Sequence, residues 1–169
     1  MSEIVNRVAS SSLLEINLED LYDADTERIV IDIKDNLYEG LVLREKDFRQ
    51  YINNTDWTVY KGKYVGIICS ADAIVPTWAY MLLSSRLGTQ AKQIVFGDIS
   101  RLNEEIFFIK LKEMDWEKFK DQKVIIKGCS RVPVPVSAYV RAVECLLPYA
   151  SSIMYGEACS TVPVYKQKK

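Results

Sequence analysis

Apolar and polar positions alternate twice in the first sixty residues: Leu14, Ile16 and Leu18 bracket Glu15 and Asn17, and Ile29, Ile31 and Ile33 bracket Val30 and Asp32. A period of two marks a half-buried strand, and such strands are mostly antiparallel, so residues 1–60 predict antiparallel strands. The period then lengthens. Phe48, Tyr51 and Ile52 fall on one face of a helix beginning near Glu45, with Asn53 and Asn54 as a stop.

From about residue 64 the pattern becomes strand, helix, strand. Short apolar runs at 64–68, 93–96, 123–127 and 152–155 read as strands. Between them lie a helix at 76–87 with Pro76 in its first turn and Gly88 past its end, a charged helix near 100–112, and a helix opened by Pro135 and ended by Pro148. Tyr139, Val143 and Leu146 recur at helical spacing in the last of these. This alternation predicts an α/β protein of one domain, 1–169, with a parallel βαβαβαβ core over 61–169. A flavodoxin-like order 2-1-3-4 would set the strand ending at Phe96 on the flank.

The back half repeats itself weakly. Asp56-Trp57 to Lys61 resembles Asp115-Trp116 to Lys120, and Pro76, Ala79 and Tyr80 match Pro135, Ala138 and Tyr139, all 59 residues apart. Duplication of a unit explains this, and so does chance similarity of two βα units. Trp57 and Trp116 read as core anchors, with ligand stacking as the alternative.

Candidate chemistry gathers at strand ends. Cys69-Ser70, Cys129-Ser130 and Cys159-Ser160 each follow a predicted strand and precede a proline. In the order 2-1-3-4 their strands are neighbours, about 4.8 Å apart, so three thiolates meet near a switch point between Cys69 and Cys129. That predicts a metal site, zinc or iron, or an iron–sulfur cluster, held by Cys69, Cys129 and Cys159. Asp72 is the preferred fourth ligand over Glu157 or water, its alternative being a helix-capping carboxylate. Two other readings stand beside it: a thiol enzyme or persulfide carrier using Cys69 or Cys129, and an interaction domain with inert cysteines. No C-x-x-C knuckle is present, and Cys145, aligned with Ala138 and Ala142, reads as packing.

Composition narrows the classes. The chain has 169 residues, 49% hydrophobic and 27% charged, with a formal net charge of −1, so no overall field attracts nucleic acid or anionic lipid. The absence of histidine removes imidazole bases, Ser-His and Cys-His pairs and His-containing zinc sites. Four cysteines without a secretory signal, and no segment of ~20 apolar residues, point to the cytoplasm. The end, Lys166 to Lys169, reads as a solvated tail. Glycine-rich phosphate loops are absent, and Pro135 stands where a phosphatase loop beginning at Cys129 needs arginine.

The motifs at 68–83, 127–130 and 152–166 resemble a bacterial family of unknown function, number 2480 in its series. The resemblance covers the whole chain and implies no established reaction. Members are similar around the three Cys-Ser steps, and their genes lie near iron–sulfur assembly genes. The resemblance therefore implies iron–sulfur or sulfur handling, with assembly proteins as partners.

Overall fold

The computed structural model describes residues 13–127 and 131–168. In chain order its elements are β1 (Leu13–Asn17), β2 (Arg28–Asp32), α1 (Glu45–Asn54), β3 (Tyr64–Ile68), α2 (Thr77–Leu87), β4 (Gln93–Phe96), α3 (Ile99–Glu113), β5 (Lys123–Lys127), α4 (Val136–Leu146), β6 (Ser152–Glu157) and β7 (Ser160–Lys166). The protein is α/β. It resolves into two compact units: a contiguous one, Asp23–Glu105, and a split one made of the residues through Tyr22 and from Ile106 onward.

The predicted single sheet of order 2-1-3-4 is replaced by two. The contiguous unit has the order β2-β3-β4, all parallel; the split unit has β1-β5-β6-β7, parallel except for the antiparallel β6–β7 pair. The place beside β3 that the predicted order reserved for β5 is taken by β2, and β1 takes the place beside β5. No switch point between Cys69 and Cys129 is formed.

The front strands are also parallel, not antiparallel. In each unit three parallel strands follow in sequence order across the sheet, so right-handed connections return on one and the same face. That face carries the core. Ile31, Val65 and Ile67 pack with Phe48 and Ile52 of α1 and Ala79, Leu83 and Leu87 of α2. In the split unit Ile16, Val124, Ile126 and Ile153 pack with Phe107 and Leu111 of α3 and Ala138, Ala142 and Leu146 of α4. An edge strand with one face in such a core keeps the period-two pattern of a half-buried strand, whichever direction its partner runs.

The two units are one module built twice. Ala79, Leu83 and Leu87 recur as Ala138, Ala142 and Leu146, every one fully buried. The Trp57 Nε1–H donates to the Ile52 carbonyl at 2.8 Å and Trp116 Nε1–H to Leu111 at 2.9 Å, tying each indole to the end of the preceding helix. Tyr80 meets Phe96 edge-on at 5.2 Å, and Tyr139 meets Tyr155 at 5.8 Å. Gly97, just after β4, and Gly156, next to last in β6, both have positive φ (149° and 116°). The fronts match as well, but 15 residues apart. Asn17 and Asp32 each end a strand and accept from the backbone N–H two residues on, at 3.2 and 3.1 Å, opening the 3₁₀ turns Leu18–Leu21 and Ile33–Asn36. One copy is thus inserted after the first strand and turn of the other.

Strand β7 has no counterpart in the contiguous unit, and it takes in Pro163 and Lys166, the latter predicted as tail. Pro163 fits because β7 is an edge strand, where a missing N–H breaks no second ladder. No helix among the described residues is long and apolar enough to cross a membrane.

Candidate functional site

Ligands of parallel α/β sheets sit at the carboxyl ends of the strands, where loops open and side chains of several strands converge. Each unit has one such edge.

In the contiguous unit, Asp32 closes β2 and reaches the loop after β3. Its carboxylate accepts the Ser70 hydroxyl at 2.6 Å and the Ser70 N–H at 3.0 Å, and lies 3.4 Å from Lys34 Nζ. Burial pushes the Asp32 carboxyl up, but the hydrogen bonds from Ser70 and Lys34 outweigh it and hold the pKa at about 2. The Tyr80 hydroxyl is raised by burial and further by Cys69 and Asp32. Half-buried Cys69 directs its Sγ to the Ala71 carbonyl, 3.7 Å away. Asp32 therefore latches the loop, and its oxygens are already engaged.

The split unit presents different groups. Lys127, the last residue of β5, is held between Glu15 of β1 at 2.9 Å and Glu157 of β6 at 3.0 Å. These bonds, Glu15 first, raise its pKa above the ordinary lysine range, so the ammonium persists. Beside this edge a groove of 330 Å³ is walled by Ile126, Val136, Tyr139, Val143, Tyr155 and Val164. Val136, Tyr155 and Val164 are 77%, 44% and 50% exposed, so this apolar wall faces solvent.

The predicted three-cysteine centre is not formed. Cys69 follows β3 in one unit, and Cys159 lies in the β6–β7 turn of the other, on a separate sheet; Cys129 lies outside the described residues. Among the described residues no group of three or more Cys, Asp or Glu could hold a metal ion. The metal and iron–sulfur readings are overturned, and the thiol readings on Cys69 or Cys129 lose the common edge on which they stood. Asp72 does not cap the helix that follows it. It is exposed, five residues before α2, whose N-cap is Pro76. Glu157 is engaged by Lys127. Cys145 is half-buried, as packing requires, and burial raises its thiol pKa.

The whole chain matches one family: residues 2–167 fit the description "protein of unknown function (DUF2480)". The chain belongs to the DUF2480 family. No curated protein and no solved structure matches it.

For this DUF2480 chain the repeat supplies the comparison that relatives would otherwise give. Positions that build the fold agree between the copies, as the buried alanines and leucines of α2 and α4 do. Two of the three groove positions on α4 do not: Val136 and Val143 correspond to Thr77 and Ser84, while Tyr139 matches Tyr80. Val140, on the same helix but outside the groove, corresponds to Met81. Lys127 corresponds to Ile68, and Val164, on β7, has no counterpart. A module that folds with Thr and Ser at these places does not need valines there. Of the residues that recur at helical spacing in the last helix, Leu146 is fully buried with Ala138 and Ala142, whereas Tyr139 and Val143 are half-buried and line the groove.

Proposed function

We propose that the protein is a binding module that holds the apolar part of a small ligand, a ring or short hydrocarbon chain, in the α4–β6–β7 groove. One observation carries the reading: the groove valines of α4, Val136 and Val143, are Thr77 and Ser84 in the sister copy, where the matching helix packs an equivalent core without them. The groove volume of 330 Å³ lies at the small end of ligand sites, roughly 300–1,000 Å³. Its walls supply shape and desolvation, and the Tyr139 and Tyr155 rings, set edge to face, supply polarisable aromatic surface.

The test is fluorescence titration with anilinonaphthalene sulfonate, comparing the unmodified protein with Val143→Phe, which fills the groove. The unmodified protein should show saturable enhancement at one site, and Val143→Phe should weaken it at least about tenfold, or ~1.4 kcal/mol. Non-saturable binding, or equal binding by a folded Val143→Phe protein, would refute the reading.

A further inference from the structure

The amino ends of β5 and β6, together with the end of β7, form a second concave site in the split unit. Lys123 opens β5 and pairs in register with Ser152, which opens β6 and pairs with Lys166, the last residue of β7. Directly opposed residues share a sheet face, so the two lysines flank Ser152 with Cα atoms about 10 Å apart. Lys123, Ser151, Ser152, Lys166, Gln167 and Lys168 line a cleft of 1160 Å³.

Among the described residues, none of Lys123, Lys166 and Lys168 has a carboxylate within ion-pair distance. The serines are already committed: the Ser151 hydroxyl donates to the Asp121 and Gln122 carbonyls, and Ser152 to the Tyr165 carbonyl. Donors for a guest therefore come from the ammonium groups, three N–H each, and from the Gln167 amide.

The sister copy shows what the same end of the module looks like when it is closed on itself. There Lys92 is bonded to Asp23 at 2.7 Å, an oxygen that also accepts from Tyr64, the counterpart of Lys123. Lys63, next to Tyr64, is bonded to Glu27 at 2.7 Å. The module can neutralise its own cations at this end, and in the split unit three lysines around one cleft have no ion-pair partner among the described residues.

We propose that this cleft binds a small multivalent anion, phosphoryl or polycarboxylate, through Lys123, Lys166 and Lys168. The assignment is independent of the apolar groove, which lies at the other ends of β5 and β6.

Isothermal titration of the full chain at low ionic strength, with inorganic pyrophosphate in one arm and citrate in the other, tests it. At least one anion should bind at a single site and weaken as salt is raised; the tighter arm identifies the ligand chemistry. Lys123→Gln/Lys166→Gln should lose at least about tenfold in affinity, and Lys168→Gln should lose less, while Lys46→Gln on α1 should bind as the unmodified chain does. Circular dichroism establishes that each variant is folded, and if the double variant is not, Lys168→Gln decides alone. Absence of heat from both anions at millimolar concentration would overturn the proposal. So would undiminished binding in the folded double variant, or in Lys168→Gln where that variant decides.

Discussion

Grafting the sister copy's residues onto α4 separates what the helix does for the fold from what it does for the groove. The perturbation is the triple change Val136→Thr, Val140→Met and Val143→Ser, each taken from the matching position of α2. Fully burying a valine contributes roughly 1.5–3 kcal/mol. Val136 and Val140 are 77% and 64% exposed, so each retains only about a quarter to a third of that, and threonine and methionine keep much of it. Half-buried Val143 gives up its two methyls for a hydroxyl, about 1 kcal/mol. Helix propensities of Val, Thr and Ser are similar and Met is better, so that contribution nearly cancels. The triple variant should lose about 1–1.5 kcal/mol in urea denaturation followed by circular dichroism. Leu146→Ala, at a fully buried position, should lose about 2–5 kcal/mol. Fluorescence from the bound probe should fall steeply in the triple variant. A triple variant as destabilised as Leu146→Ala would mean these valines belong to the core, and undiminished probe binding would mean the groove is not the site.

Other outcomes test the remaining architecture. Gly66→Ala should cost about 1–3 kcal/mol, because the new Cβ would lie 2.5 Å from the Gly97 carbonyl oxygen; a melting temperature equal to or above that of the unmodified protein would contradict the close β3–β4 approach. Trp57→Phe and Trp116→Phe remove equivalent hydrogen bonds and should each cost about 1 kcal/mol by denaturant titration, so costs differing severalfold would argue against equivalent roles. The Asp32 pKa is depressed, so its stabilisation is complete above pH 3.8 and is lost as pH falls through about 2. Asp32→Asn should be less stable at neutral pH and should flatten the acid limb of a melting-temperature profile; an unchanged limb would refute the latch.

Strands β3, β4 and β5 were legible to the residue because each is a short apolar run rich in β-branched residues and closed by turn formers. Helices α2 and α4 were legible through the prolines before their first turns. The partition into two sheets was not, since pairing between Leu13 and Lys123 leaves no local trace. Direction of the front strands was misread because alternation reports which face is buried, not which way the neighbour runs. Pro163 hid β7 until its place at the sheet edge was known. At the site, the expected strand order 2-1-3-4 had placed Cys69 and Cys129 as partners in one centre. Equivalence of two loops in two copies of a module does not bring them to one edge. The informative positions were those where the copies differ, Val136 against Thr77 and Lys127 against Ile68, and these stand out only once the repeat is known to be structural.

Insertion of one copy within the other imposes a schedule on the growing chain. All three strands of the contiguous unit are made before β5 exists, so that unit has its sheet available early, with Arg28 and its partner Tyr64 only 36 residues apart. Strand β1 is synthesised first and must remain unpaired longest, until Lys123 arrives 110 residues after Leu13. Closing the longer loop costs about 1 kcal/mol more in chain entropy. A folded insert converts much of that loop into a fixed body before closure begins. The copy that emerges whole thereby serves as the spacer on which the other is completed.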